Sequence, residues 1–282
     1  MNRLIETYLS RRNYDENFLR DINNSDHDQL LSIDELCAEL KVIHDNGIPL
    51  VILPDFDMDG ITAGVVNFAG LSELGFNVRL FRPTPSDGYG FTERTIERLV
   101  QEFPDVKVII TCDVGITCYQ GVAAAKALGI KVLITDHHLQ ESGKENQLYA
   151  DVVVNPNRTD ETYSNKGICG AHVAWQVLAH YAELYTDVFM IEQIRRLRVF
   201  AGIGTISDMM PLVHENRPLV KDACHICRLV HSNGSSLFVD SMLGCVQYVR
   251  AFRGLYEVLN VFAEAGKITK PGDINEEFFG YY

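Results

Sequence analysis

The sequence is poor in the features that mark membrane-spanning and exported proteins. No apolar run approaches the roughly 20 residues that a membrane-spanning helix needs, and the first residues, MNRLIETYLSRRNYDENF, contain no apolar core of a signal peptide. The seven cysteines are an odd, scattered set, which is typical of reduced thiols rather than of a disulfide framework. We therefore expect a protein that resides in the cytoplasm and has no membrane partner.

Positive charge is also scarce. Lysine and arginine number 25 against 38 aspartates and glutamates, which gives a formal net charge of −13. Proteins that hold long nucleic acids by charge alone usually have the opposite balance. The excess of acids therefore indicates either that the partner is no polyanion or that some carboxylates serve another purpose, such as holding cations.

Short apolar runs alternate with segments of helical periodicity through the first half of the chain. Low-complexity tracts are absent and 46% of the 282 residues are hydrophobic, which excludes disorder for most of the length. Strands alternating with helices of about a dozen residues are typical of a parallel sheet covered on both faces. Strands are predicted at residues 51–53, 78–81, 108–111, 131–135 and 152–154.

Two of the predicted helices have local start signals. Ser32 with Glu35 has the spacing of a capping box, and Thr92 can cap a helix at 92–102. From about residue 170 the pattern is mainly helical, and residues 245–266 carry apolar and aromatic side chains at helical spacing. The predicted fold class is therefore α/β, with a parallel sheet between helices, then a mainly helical segment and a long connecting helix.

Acidic residues and histidines gather where three of the predicted strands end. The carboxyl ends of strands in an open α/β sheet are the usual place for ligands, so these side chains are expected to meet at one edge. We interpret the cluster as a metal site. The first strand runs into Asp55, Asp57, Asp59 and Gly60, the strand near 110 into Asp113 and Gly115, and the strand near 134 into Asp136, His137 and His138.

The ligand types narrow the choice of metal. Carboxylates with imidazole and no thiolate suit Mn²⁺ or Mg²⁺ better than structural zinc. So many carboxylates in one crevice would repel each other without cations, which implies more than one divalent ion. Two neighbouring metal ions are a standard device for cleaving phosphoesters.

Two other metal sites are weaker interpretations. The Asp-x-Asp-x-Asp-Gly run also opens an EF-hand calcium loop, but the twelfth position, which needs Glu, is Val66, and an apolar strand precedes the run. Cys224 and Cys227 have Cys-x-x-Cys spacing, yet no second pair follows nearby to complete a zinc site.

Four motifs in order resemble the DHH phosphoesterase superfamily, and within it the RecJ-type single-strand exonucleases. They are VILPDFDMDGITA (51–63), TCDVGIT (111–117), LITDHH (133–138) and GTISDMMPL (204–212). Shorter matches are DGYG (87–90), VVNPNR (153–158), CGAHVAWQV (169–177) and ENRPLVK (215–221). The resemblance covers about residues 45–282 and implies a metal-dependent phosphodiesterase.

The resemblance also implies roles for individual residues. Asp113 would bridge two Mn²⁺ or Mg²⁺ ions, Asp55 would ligate or orient, Asp136 would orient the imidazoles, and His138 would contact the scissile phosphate or the leaving group. The remaining ligands of the two ions would be Asp57, Asp59, His137 and Asp208. Candidate substrate contacts in the shorter matches are Arg82, Tyr89, Arg158 and His172.

Some positions depart from the family pattern. Leu53 stands where some members have a histidine ligand. Ahead of DGYG, many relatives have an arginine in a Pro-x-Arg pattern, whereas in this chain the arginine, Arg82, comes before the proline. RecJ-type enzymes continue into a second domain with a Gly-Gly-His motif, which is missing here. We expect three parts: an N-terminal helical segment at 1–45, a catalytic DHH domain at 46–240, and a connecting helix with a truncated linker at 241–282. A second DHH-associated domain or a partner chain would then complete the enzyme.

Three functions remain open on the sequence. The first is a 5′→3′ single-stranded DNA exonuclease that releases mononucleotides. The second is a phosphodiesterase for short oligonucleotides or cyclic dinucleotides, which the net negative charge favours. The third is a non-catalytic binding subunit on the same fold, which the intact metal-ligand motifs disfavour.

Overall fold

Five short parallel strands form the centre of the fold. The computed structural model describes residues 29–84, 87–88, 90–144 and 148–223. The strands are hydrogen-bonded in the order β2-β1-β3-β4-β5, all parallel, so the predicted α/β class is confirmed. They are β1 (Leu50–Pro54), β2 (Val78–Leu80), β3 (Val108–Cys112), β4 (Lys131–Thr135) and β5 (Val152–Val154).

Helices connect the strands and then make up the second half of the described chain. The helical character predicted from about residue 170 is confirmed there, and residues 216–223 are helical as well. The helices are α1 (Ile33–Asp45), α2 (Met58–Glu73), α3 (Glu93–Glu102), α4 (Tyr119–Ala127), α5 (Gly170–Tyr185), α6 (Val188–Arg196) and α7 (Arg198–Ser207).

The sheet separates two apolar cores. Successive side chains of a strand point to opposite faces, so Leu50 and Ile52 pack with α1, α2, α5 and α6. Val51 and Leu53 pack on the other face with α3 and α4. Both faces are therefore covered by helices, which explains why β1 and β3 are buried at every position.

The order of the strands creates a crevice at their carboxyl ends. From β1 the chain crosses to β2 on one side and then returns to β3 on the other side of β1. Such a reversal is the topological switch point at which open α/β sheets bind ligands. The acidic loops that follow β1 and β3 flank this point.

The predicted capping box of α1 is wrong. Ser32 is the N-cap residue, but its backbone is left-handed with φ 63° and its side chain makes no capping hydrogen bond. The Ser32 hydroxyl instead accepts a hydrogen bond of 3.2 Å from Arg158. The predicted cap of α3 is confirmed, because the Thr92 hydroxyl accepts from the Thr95 amide.

Several predictions concern residues outside the described part of the chain. These are most of the N-terminal segment, Tyr89, the Cys224–Cys227 pair, and the connecting helix at 245–266. Among the described residues, no helix is both long enough and apolar enough to cross a membrane.

The packing of α1 gives a direct test of the core. Leu40 on α1 is fully buried, whereas Val42 on the same helix is 52% exposed. We expect Leu40→Ala to lower the free energy of unfolding by about 2–5 kcal/mol, because it leaves a cavity under the sheet. Val42→Ala, the matched control, should change it by less than about 0.5 kcal/mol. Equal urea midpoints for the two variants would contradict the assigned packing.

Candidate metal centre

The acidic residues at the strand ends are held in register by the sheet itself. The amide of Asp55 donates to the Cys112 carbonyl at 3.1 Å, and that of Asp113 donates to the Thr135 carbonyl at 2.9 Å. The amide of Asp136 likewise donates to the Val154 carbonyl at 3.2 Å. Each acid therefore extends the hydrogen-bond ladder one residue past its strand, which fixes its backbone beside the next strand.

Three groups of potential oxygen and nitrogen ligands meet in this crevice, and one of them, made of Asp113, His137 and His138, links the other two. In each group the potential ligand atoms lie within 4.8 Å of one another. Asp113 belongs to the first, and its Oδ1 lies 3.1 Å from Nε2 of His137 in the second. The first group is Asp55, Asp57 and Asp113, and the second is Asp59, His137 and Asp208.

His137 lies at the centre of the carboxylates. Its Nε2 is 3.5 Å from Asp208 Oδ2 and 3.8 Å from Asp59 Oδ2. Asp208 ends α7, so the helical half of the chain folds back onto the sheet edge. The structure thus brings together all six residues predicted from the sequence as metal ligands.

Asp59 is held by a helix terminus. Its two carboxylate oxygens accept the amides of Gly170 at 2.6 Å and Ala171 at 3.0 Å, at the start of α5. Unpaired amides and the helix dipole at an N-terminus favour negative charge. A Cβ on Gly204 would lie 2.3 Å from Asp59 Oδ1, so only glycine lets α7 approach this carboxylate.

Asp113 adopts an unusual backbone conformation. Its φ is 63°, in the left-handed region that few residues other than Gly, Asn and Asp occupy. Gly170 packs against its side chain, since a Cβ there would lie 2.4 Å from Asp113 Oδ1. The strain indicates that the surrounding structure forces this carboxylate toward the middle of the cluster.

Asp136 fixes the adjacent histidine. Asp136 Oδ1 lies 2.8 Å from Nδ1 of His138 and accepts the amides of both histidines, while Oδ2 accepts the Ile116 amide at 2.9 Å. Burial disfavours the Asp136 carboxylate, but these hydrogen bonds outweigh it and lower its pKa. The same pairing raises the pKa of His138 to about 9.

The metal-free cluster is electrostatically unfavourable. Burial raises the pKa of Asp113 well above its ordinary value, and the neighbouring carboxylates raise it further. Burial also raises the pKa of Asp55, Asp59 and Asp208. A bound divalent cation would reverse this penalty, because it attracts the charged forms.

Two buried oxygens provide a test of whether the cluster fits a metal. Asp113 Oδ1 and Asp208 Oδ2 are both shielded from solvent and have no hydrogen-bond partner within the described chain. Buried polar atoms are nearly always paired. Unpaired carboxylate oxygens beside an imidazole are the ligand types that Mn²⁺ and Mg²⁺ accept. The residues of the cluster therefore fit either ion.

A cavity of about 710 Å³ adjoins the cluster. Asp55, Asp136 and His138 form its polar side, and Phe91 and Tyr119 lie in its wall. The His138 side chain is 45% exposed, so its ring is accessible from solvent. The cavity offers room for a bound molecule beside the metal-coordinating side chains.

Two asparagines that motif reasoning did not single out support the histidines. Asn155 donates to the His138 carbonyl at 3.0 Å, and Asn157 donates to the His137 carbonyl at 2.5 Å. Both lie in the loop after β5, within the VVNPNR match. Their place directly behind the strand that pairs with β4 is the sequence signal that could have identified them.

None of the described residues predicted as substrate contacts belongs to the ligand groups. Arg158 forms two hydrogen bonds with Asp160 and donates to the Val153 carbonyl at 2.6 Å, in a different cavity. His172 is buried in α5, where its Nδ1 faces Asn216 Oδ1 at 3.2 Å. Arg82 is exposed, and its carbonyl accepts a hydrogen bond from Arg98; Tyr89 is among the residues that are not described.

A family model described as the N-terminal domain of the DHH family matches residues 49–202. The chain belongs to the DHH family. The matched range includes the sheet, α5 and three of the four motifs; the fourth, with Asp208, lies just beyond its end. The family is one of metal-dependent phosphoesterases, which agrees with the chemistry of the cluster.

Curated relatives are exonucleases. The single-stranded-DNA-specific exonuclease RecJ of Haemophilus influenzae is 32% identical over 200 residues, which is 68% of this chain and 34% of the relative. The RecJ of Salmonella typhimurium is 30% identical with the same coverage. The chain therefore spans about a third of the length of these relatives.

Solved structures of RecJ proteins have a similar fold. A crystal structure of exonuclease RecJ bound to manganese has a TM-score of 0.61 and 27% identity, covering 76% of this chain and 55% of that one. RecJ from Thermus thermophilus in complex with Mn²⁺ has a TM-score of 0.60 and 25% identity, covering 83% and 34%. Both structures contain the metal that the ligand types predict.

Removing one charge from the cluster should stabilise the metal-free protein. In Asp113→Asn the side chain keeps its shape and tolerates the left-handed backbone, but the repulsion disappears. The raised pKa of Asp113 means that this repulsion grows as pH rises from the ordinary carboxyl value through the folded-state pKa. At pH 8 in the presence of a chelator, we expect Asp113→Asn to unfold at a higher temperature than the wild type. The rise should be about 2–4 °C for each kcal/mol gained in the free energy of unfolding.

The same variant should lose the stabilisation that added Mn²⁺ gives the wild type. Asp105→Asn, which alters an exposed partner of Arg79, is the control and should retain that stabilisation. Differential scanning calorimetry with and without Mn²⁺ measures both effects. A lower metal-free unfolding temperature for Asp113→Asn would contradict the proposed repulsion.

Proposed function

We propose that this chain is the catalytic part of a 5′→3′ single-stranded DNA exonuclease that hydrolyses phosphodiesters with two Mn²⁺ or Mg²⁺ ions and releases mononucleotides in the cytoplasm. The observation that carries the proposal is a pair of ligand groups that are linked through Asp113 and His137, which form a third group with His138. One group is carboxylate only and the other is built around His137. The similarity to RecJ exonucleases supports the choice of substrate.

Each ion would have its own set of ligands. Asp55 and Asp57 would hold the first ion, and the other group would hold the second. Asp113, whose unpaired oxygen faces His137, would bridge the two. When bound, the ions supply an activated water and the positive charge that offsets the phosphate. The ligands of the second ion would be Asp59, His137 and Asp208.

His138 would contact the substrate rather than a metal. Asp136 holds its Nδ1 and favours the charged imidazole, which leaves Nε2 as a donor on the exposed side of the ring. A charged donor beside the cavity can hydrogen-bond a phosphate oxygen or the leaving oxygen. Asp136 would thus act through His138, as carboxylates behind histidines commonly do.

The domain organisation is also a proposal. We place the catalytic domain at residues 46–240, after an N-terminal segment at 1–45 and before a connecting segment at 241–282. The net charge of −13 provides little attraction for a long polyanion. A second domain or partner chain with basic residues would supply that attraction.

Loss of the bridging carboxylate should abolish cleavage. We expect Asp113→Asn to lower the Mn²⁺-dependent hydrolysis of a 5′-labelled single strand by more than about 100-fold, because changing mere neighbours of metal ligands already costs 10–100-fold. Asp105→Asn should retain wild-type activity. Equal rates for wild type and Asp113→Asn would rule out the two-metal mechanism.

The acidic composition favours a second candidate, a phosphodiesterase for short oligonucleotides. Little electrostatic attraction is needed when a substrate carries few phosphates. A comparison of kcat/KM for a long single strand and for oligomers of two to five nucleotides separates the two functions. We expect the long strand to be preferred when the partner is supplied; a preference for oligomers under both conditions would establish the second function.

A further inference from the structure

Two elements of the helical half contribute to the metal centre. The end of α7 supplies Asp208, and the start of α5 supplies the amides that hold Asp59. Each of these positions adjoins an irregular segment. Residues 165–169 lead into α5, and residues 208–215 follow α7. These two segments therefore flank the positions from which Asp208 and the amides that hold Asp59 reach the cluster.

One buried amide joins the two segments. The side-chain nitrogen of Asn216 donates to the Gly167 carbonyl at 2.6 Å and to the Pro211 carbonyl at 2.9 Å. Asn216 has no solvent exposure. Gly167 lies three residues before Gly170, and Pro211 lies three residues after Asp208. A single side chain thus ties both approaches together.

The turn after Asp208 depends on such a tie. Met209 is left-handed with φ 55°, and the Met210 amide bonds back to the Thr205 carbonyl at 3.0 Å. The Pro211 ring then lies against Gly167, where a Cβ would come within 3.2 Å of it. The chain reverses sharply here, and the Asn216 amide secures the reversal on the segment that leads to α5.

A polar network fixes the orientation of Asn216. Because its nitrogen donates to carbonyls, its oxygen faces Nδ1 of His172 at 3.2 Å. Burial lowers the pKa of His172, so the ring is neutral and Nδ1–H is the donor. Nε2 then accepts from Gln176 at 3.3 Å, and Gln176 also donates to the Tyr163 hydroxyl at 2.9 Å. The amide cannot flip without breaking this chain.

We infer that Asn216 is a positioning residue for one metal site, the group of Asp59, His137 and Asp208. It acts by holding the Asp208 turn and the start of α5 together. The group of Asp55, Asp57 and Asp113 is built on the ends of β1 and β3 and on the N-cap of α2; it touches the start of α5 at Gly170 but takes no carboxylate from the turn after α7. The inference rests on the proposed metal centre and adds a residue that supports one of its two metal sites.

Calorimetric titration of the 282-residue chain with Mn²⁺ tests the inference. In Asn216→Leu, which has a similar volume and no polar atoms, we expect one of the two sites to weaken about 10- to 100-fold and the other to keep its affinity. Val220→Ala is the control, because Val220 is buried in the same helical segment, residues 216–223, against Ile206, but forms neither tie. It should keep both affinities even where it lowers the unfolding temperature.

The outcomes distinguish the inference from the proposed function. No Mn²⁺ binding by the wild type would overturn both. Two sites of unchanged affinity in Asn216→Leu would overturn the inference alone, as would equal weakening of one site in Val220→Ala. Where Asn216→Leu does not fold, Asn216→Ser replaces it, with the same expected selective loss because its one hydroxyl cannot satisfy both carbonyls.

Discussion

Repulsion among buried carboxylates is the constraint around which this structure is organised. Several acids, most of them buried, converge on one imidazole in a crevice, where like charges interact more strongly than at a surface. Burial is the first cause of the raised pKa values of Asp59, Asp113 and Asp208, and neighbouring carboxylates raise those of Asp113 and Asp208 further. The fold must therefore hold these groups against their mutual tendency to separate until cations neutralise them.

The restraint comes from backbone rather than from basic side chains. The ladder hydrogen bonds fix Asp55, Asp113 and Asp136, and the N-terminus of α5 compensates the charge of Asp59. Glycines at 170 and 204 allow the helices to approach the carboxylates. No lysine or arginine among the described residues forms an ion pair with the six proposed ligands, so their charge is left for metal ions.

Local sequence patterns predicted the sheet and most of the cluster. Apolar runs followed at once by Asp55, Asp113 and Asp136 indicated strands whose carboxyl ends meet, because that relation needs no knowledge of distant contacts. Asp208 came from family resemblance alone, since only the return of the helical half brings it to the crevice. The roles of Gly170, Gly204 and Asn216 depend on contacts across long sequence separations, which no local pattern encodes.

The capping box at Ser32 shows the opposite case, in which a local pattern was overridden. Serine and glutamate had the right spacing, but the guanidinium of Arg158 reaches the hydroxyl from the loop after β5. The same guanidinium also donates to the Val153 carbonyl and bonds Asp160, so Arg158 is already engaged in this loop. A tertiary bond to a charged group outweighs a cap that contributes about 1 kcal/mol.

The outer strands of the sheet have a consequence for association with other chains. β2 and β5 lie at the two edges and contain only three residues each. Exposed strand edges are templates on which further strands can add, and short edges offer few free amides and carbonyls for this. The longer and almost entirely buried strands lie inside, so the part of the sheet that would aggregate most readily is protected by its own neighbours.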